Sequence, residues 1–354
     1  MASGLAVFVD HQFDAELSEA SSFEVHERAG APTRFALRYP LLAVGQDFPL
    51  AVDDRLGPGT TLSLRYQEDD RAKVLVEGPV TGHTLRFEHG GGDSWLEVVG
   101  ADVSIVMDRE VRSAAWDGAD SDAVTAILGN HQIEPDVSAT DAVHTEAKHT
   151  LIQRDSDLRF VQRLARRNGC LFWVTNGLAS GTSLATGHFK PPPLEDTAAG
   201  AITLNQDPPT ALFFELRADF ERPSSVEGRQ LGLNDKSTLD LGAASSQLDL
   251  LGASDLRAIT GDTRTVHVTA PVDDAGDLVA RGRAALIEAG WFVQASCEST
   301  RQAFGSVLRA HRVVEVNGLG TRHSGRYFVA GVRHLVDSGA HRMQLELLRN
   351  AWGS

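Results

Sequence analysis

The chain has 354 residues, 42% hydrophobic and 23% charged, with 48 acidic against 33 basic side chains and a formal net charge of -15. A single core stops growing near about 250 to 300 residues, so two or three globular domains are expected. The acidic balance excludes a phosphate-neutralising nucleic-acid surface, and apolar runs as short as Leu212 to Phe214 or Leu171 to Val174 exclude insertion as a bilayer-spanning helix, which needs about 18 to 20 such residues.

The first ten residues lack basic side chains before a short apolar stretch and soon turn acidic at Asp10. They read as a first strand and not as a secretory signal. From Val25 to Val106, short alternating runs follow one another: Phe35 to Tyr39, Thr61 to Tyr66, Val74 to Val76, His83 to Phe87 and Trp95 to Val99. Gly57-Pro58-Gly59, Asp69-Asp70, Gly78-Pro79 and Gly90-Gly91-Gly92 separate them. This is the pattern of antiparallel sheet or barrel, with Gly permitting positive φ and Pro ending a ladder. A first β-barrel domain is expected over residues 1–108.

Behind Asp120 and Ser121, which suit helix caps, Val124, Ile127 and Leu128 fall at helical spacing, and His131 extends their face. A second helix begins after Asp155 or Ser156, either of which can accept first-turn amide hydrogens. Its apolar stripe is Leu158, Val161, Leu164 and Ala165, and Asn168-Gly169 supplies a left-handed stop. A buried strand from Cys170 to Val174 and a turn at Asn176-Gly177 follow. Arg163, Arg166 and Arg167 read as a solvated face or a contact with an acidic partner. Residues 109–207 thus form an α+β insertion domain, ending in a linker between Pro191-Pro192-Pro193 and Pro208-Pro209. The β pattern returns in Leu212 to Leu216, Thr265 to Thr269 and Val313 to Val316, with a helix from Asp277 to Ala289 placed to flank a barrel. Residues 208–354 are a second β-barrel domain. Asn234 to Ser254 is too weakly patterned to assign, with a long loop left open. Cys170 and Cys297, the two cysteines, are expected as reduced packing thiols in a protein made in a reducing cytoplasm.

The chain carries no Gly-x-Ser-x-Gly elbow, phosphate loop or His-Glu-x-x-His helix. His131, His144 and His149 with Glu146 are the nearest approach to a metal cluster, but their spacing fits neither a one-turn helical pair nor a structural zinc site. Gly318-Leu319-Gly320 with Gly325 lacks the spacing and the following helix of a dinucleotide fingerprint. Asp69-Asp70 and Asp273-Asp274 read as turn residues and not as an acid-base pair. No catalytic, cofactor-binding or metal residue is assigned.

Two segments carry a family resemblance. Gln153-x-x-Ser156-Asp157-x-x-Phe160, then Arg163-Leu164-Ala165 and Gly169 ahead of an aromatic strand, resembles the hub proteins of contractile injection machines. These are phage late control protein D, the T4 baseplate hub and the amino-terminal part of type VI secretion VgrG spike proteins. Gly325-Arg-Tyr327-Phe-Val329 through His334, closed by Leu345 to Asn350, resembles the last hairpins of the same family. Gln153, Ser156, Asp157, Phe160, Leu164, Gly169, Gly325, Tyr327, Val329 and His334 are therefore markers of fold, with Ser156 and Asp157 as caps and Phe160 and Leu164 as core.

The resemblance implies a mainly β chain in which two related, tube-protein-like small barrels flank an α/β domain. It implies a homotrimer that adapts a hexameric inner tube on one face to a trimeric spike on the other, among other baseplate subunits. The role is structural, without cofactor or enzymatic activity. Such a protein is made in the bacterial cytoplasm and assembled into the baseplate of a phage tail or injection particle. Type VI spike proteins continue into a further barrel and a β-helical needle, whereas this chain stops at Ser354, so the spike is expected on a separate polypeptide. The rivals are a baseplate-associated cell-wall hydrolase, which needs an acid of raised pKa in a cleft, and a carbohydrate-binding module, which needs exposed aromatic platforms.

Overall fold

A computed structural model describes residues 4–353 apart from 46, 90–92, 147–149, 180–181, 232–235, 242–245, 262–263 and 270–274. The Gly90 to Gly92 turn, His149 and Asp273-Asp274 lie outside the described residues.

The first β region holds β1 (Leu5–Val9), β2 (Gln12–Asp14), β3 (Ser22–Arg28), β4 (Arg34–Pro40), β5 (Thr61–Glu68), β6 (Arg71–Arg86) and β7 (Trp95–Ala101). The middle of the chain holds β8 (Ala114–Trp116), β9 (Gly118–Ala119), α1 (Asp120–Asn130), β10 (Glu134–Val137), β11 (Val143–His144), β12 (Leu151–Gln153), α2 (Asp157–Arg167), β13 (Leu171–Ala179) and β14 (Thr182–Lys190). After β15 (Ala201–Thr203) and β16 (Ala211–Ala218) come β17 (Ser225–Glu227), β18 (Arg229–Leu231), β19 (Thr238–Asp240), α3 (Leu256–Thr260), β20 (Thr265–His267) and α4 (Ala275–Gly290). The chain ends with β21 (Val293–Thr300), α5 (Arg301–Phe304), β22 (Val313–Asn317), α6 (Gly320–His323), β23 (Gly325–Asp337) and β24 (His341–Arg349).

The fold is mainly β. One sheet runs through both β regions in the order β16-β21-β24-β23-β3-β4-β7-β6-β5-β1-β2, with β22 also on β23 and β15 on β22. The seam between the regions is the antiparallel pair β3–β23, from Gly331 opposite Arg28 to Asp337 opposite Ser22. Alternation along β3, β4, β7, β21 and β24 helps fill separate cores. Phe23, Val25, Leu37, Leu64 and Val98 belong to the first, Val314, Tyr327, Val329 and Leu347 to the second, and Val124, Leu128, Phe160, Leu164 and Phe172 to the middle unit.

Two long strands change partners midway. β6 was expected as two strands broken at Gly78-Pro79, yet it is continuous: residues 71–79 pair with β5 and 80–86 with β7. Pro79 is tolerated because the handover and its bulge between Val80 and Gly82 fall where a ladder donor is dispensable. Gly78 is required there, since a Cβ would lie 2.0 Å from the Ala101 carbonyl oxygen. β23 likewise pairs with β22 over its first residues and with β3 beyond Gly331.

Other differences have local causes. Asn176-Gly177 is not a turn: β13 runs on, with Asn176 opposite Ala185 and Gly177 opposite Leu184, and pairing continues to Ala179 opposite Thr182. The Pro-rich stretch contributes β15, parallel to β22, and buries Leu194 and Ile202, because prolines hold the chain extended as readily in a sheet as in a linker. Within Asn234 to Ser254, β19 pairs with β18, and Leu241 and Leu251 are buried. Asp69 and Asp70 do form the turn between β5 and β6, both at positive φ.

Candidate functional site

The signature begins at the start of α2. Ser156 is the N-cap: its hydroxyl accepts the Arg159 amide at 3.4 Å and donates to Asp108. Asp157 follows in the first turn, 2% exposed, where the helix dipole favours an anion. Its carboxylate accepts from Gln153 Nε2 at 2.7 Å and His131 Nε2 at 2.8 Å, and faces Arg112 Nη1 at 3.3 Å. Gln153 is fully buried, and its Oε1 accepts the Trp116 indole at 3.0 Å. Trp116 in turn stacks on Phe160, ring centroids 6.4 Å apart. The spacing Gln-x-x-Ser-Asp-x-x-Phe is thus one connected network tying β8, β12, α1 and α2. Gly169, at φ +67, reverses the chain beneath α4, where a Cβ would lie 2.5 Å from Ile287 Cδ1.

A second network was not legible in the sequence. Asp120, 0% exposed, is a buried anion and not a cap. The cap position is Ala119, whose amide donates to Asp122 at 2.9 Å. Asp120 accepts from Arg167 Nε at 2.6 Å, Asn168 Nδ2 at 2.7 Å and His144 Nε2 at 3.1 Å. Burial pushes its carboxyl up, but the His144 and Arg167 contacts outweigh it and hold the pKa below the usual value. His144 is therefore a buried ion partner, His131 serves Asp157, and Arg167 leaves the solvated face on which it was expected. Arg163 pairs with Asp155 at 3.0 Å. Among the described residues, no group of three or more His, Cys, Asp or Glu is arranged to hold a metal ion.

The carboxy-terminal signature shows the same logic. Gly325 sits at φ +122 beside the Arg349 guanidinium. Arg349 is 1% exposed and donates to the carbonyls of Leu251, Ser324 and Gly353 at 3.1, 3.3 and 2.7 Å, beneath the Tyr327 ring. Tyr327 is fully buried and donates its hydroxyl to the His323 carbonyl at 2.7 Å. Val329 is core. His334, also fully buried, stands 3.0 Å from His341 and 3.5 Å from Glu27 across the seam.

Chemically, these groups bind one another. Burial raises both cysteines to about 12, so they are neutral thiols. Asp102 is raised to about 6 by burial, but it accepts the Ser104 and Thr33 amides at 2.9 and 2.5 Å and caps the helical turn Val103–Asp108. A groove of about 630 Å³ lies between α2, α4 and the sheet, over Leu171, Ile287, Trp291 and Phe328.

A family model described as "Alg8 N-terminal domain" matches residues 43–201, less than half of the chain. It starts in the loop after β4 and stops at β15, cutting across the first sheet region. No curated protein matches. Solved structures match along the whole chain. The 43 kDa tail protein of prophage MuSo2 from Shewanella oneidensis is 12% identical with a TM-score of 0.68, the match covering 98% of each chain. The tail protein from Neisseria meningitidis is 11% identical with a TM-score of 0.64, over 98% of this chain and 96% of that one. The E. coli c3393 protein, described as a type VI secretion system component structurally similar to T4 tail proteins gp27 and gp5, is 12% identical with a TM-score of 0.56, over 98% and 78%. The fold is that of these tail proteins, in agreement with the resemblance carried by the two signature segments.

Proposed function

We propose that this chain is the structural hub of a contractile tail or tail-derived injection system. Three copies form a collar in which the two β regions of each copy act as related small barrels. One face meets a hexameric inner tube, the other a trimeric spike, with further baseplate subunits around it, in a particle assembled after synthesis in the bacterial cytoplasm. The observation that carries this reading is a tail-protein fold shared end to end, in which the signature residues are spent on holding β8, β12, α2 and β23 in place. Ring closure also gives the edge strands β16 and β2 partners that a lone copy lacks, and a permanent collar of this kind buries roughly 2,000 Å² or more per interface.

Native mass measurement of the purified protein, alone and with tube and spike proteins, tests the reading. A threefold assembly that binds both supports it. A stable dimer, or a monomer that stays single in the presence of both, overturns it. Turnover of peptidoglycan would restore the hydrolase reading, and glycan binding in the groove beside Trp291 the carbohydrate-binding one.

A further inference from the structure

The seam between the β regions is held by a buried chain of four ionisable groups. Glu27 on β3 is 4% exposed and accepts from Arg309 Nε at 2.5 Å and from the Ala310 amide at 3.0 Å. Arg309 also donates to the Val74 and Leu75 carbonyls on β6, at 2.9 and 2.7 Å. On its other side Glu27 faces His334 Nε2 at 3.5 Å, and His334 Nδ1 lies 3.0 Å from His341 Nε2. Glu27 thus joins the first β region to the segment before β22 and to β23 and β24.

Electrostatics select one arrangement of protons. Glu27 is an anion, so the His334 nitrogen facing it carries the hydrogen. His334 Nδ1 is then the acceptor, and His341 Nε2 must donate to it. One lone pair is left over, on His341 Nδ1, which like His334 Nε2 is a buried atom without a hydrogen-bond partner. The charged and titratable groups facing the pair are Glu27 and His26 from β3, Arg309 from the preceding segment and Arg301 from α5. Apart from Glu27, each of these is a base that repels a second positive charge. His311, stacked 4.3 Å from Trp173, is the neighbouring buried histidine, and its Nε2 is also without a partner.

The geometry points to an acid-operated catch: a proton taken up on His341 Nδ1 has no acceptor while the seam is closed, so acidification separates β3 from β23 before either β region loses its own core. The opening is a local event at a buried polar network. It concerns one chain and does not depend on the hub reading.

Hydrogen exchange of the full chain, corrected for the intrinsic effect of pH, tests it. Between neutral pH and about pH 5, amides of β3 and of β23 beyond Gly331 should exchange at least about tenfold faster, while those of β5 and the β13–β14 hairpin hold their protection. Replacing His334 and His341 together by Phe keeps rings in place and removes both ring acceptors, so the acid response of the seam should disappear. If that variant does not fold, side-chain NMR of His341 in the unaltered chain serves instead: the ring should stay neutral down to the pH at which the seam opens. A charged His341 under protected seam amides, or acceleration of all strands together, would overturn the proposal.

Discussion

At the scale of single residues, the polar side chains that mark the two signature segments, Gln153, Ser156, Asp157, Tyr327 and His334, are shut away from water. Asp157 was readable as a helix-start residue from spacing alone, because an acid after a Ser cap has a local reason to be there. Its three partners, Gln153, His131 and Arg112, were not readable, since they arrive from other elements. Asp120 was misread as a cap for the same reason, its partners lying on α2 and β11. Asp120→Ala leaves the Arg167 guanidinium, 12% exposed, without its anion, and should cost about 3 to 5 kcal/mol. Asp120→Asn, which keeps an acceptor, should cost less. Urea midpoints at unchanged slope report both. Gln153→Ala strands the Trp116 indole and should cost about 1 to 3 kcal/mol. Gln153→Glu instead sets a second carboxylate where Nε2 now stands 2.7 Å from Asp157. The new carboxyl would titrate above its ordinary range, so the loss should be largest at neutral pH and shrink as pH falls through that raised value, a dependence that the Ala variant lacks.

At the scale of elements, strands whose sides differ were legible. Period-two alternation in β4 and β7 reports a core on one side of each, and the Asp69-Asp70 turn reports its own backbone. What was not legible depends on partners distant in sequence. Gly78-Pro79 has the composition of a turn, but β6 continues because β5 lets go where β7 takes over. Asn176-Gly177 likewise has turn residues, and β14 keeps it in register. The Pro-rich stretch before β16 looks coreless until β22 offers Ile202 a place. Composition describes what a segment permits, and the sheet decides what it does. The handover in β6 makes a specific claim. Gly78→Ala places a Cβ 2.0 Å from the Ala101 carbonyl oxygen and 2.8 Å from Asp102 Cα. Neither is a flexible side-chain end, so the backbone of β7 must move, at about 3 kcal/mol. Gly82→Ala, whose Cβ would be 3.4 Å from a Val99 methyl, should be tolerated within about 1 kcal/mol. Thermal melts of the two variants side by side should show a large loss for the first and little for the second.

At the scale of the whole molecule, the buried histidines set the pH range over which the chain stays folded. Burial lowers His311 to about 4, and burial with His334 and Arg301 lowers His341 to about 3. Both are therefore neutral in the folded chain over most of the range where an unfolded histidine, near 6.5, takes up a proton. The unfolded state then binds more protons, so stability must fall as pH drops below about 6.5, by about 1.4 kcal/mol per pH unit for each histidine, until the folded values are reached. Glu27 works at lower pH. Burial would raise it, but Arg309 and His334 outweigh burial and hold it at about 2, so its contribution, complete above about 4.5, is lost between there and 2. Folding free energy from urea titrations at successive pH values should therefore decline between about pH 6 and 4, with the lowered His188, His323 and His334 adding to the slope and the raised Asp102 opposing it. Replacing His311 and His341 together by Phe should take about two protons out of that slope while leaving in place the fall below about pH 4.5, which belongs to Glu27 and the other lowered carboxylates such as Asp120. An unchanged slope in the double variant would place the acid sensitivity elsewhere in the fold.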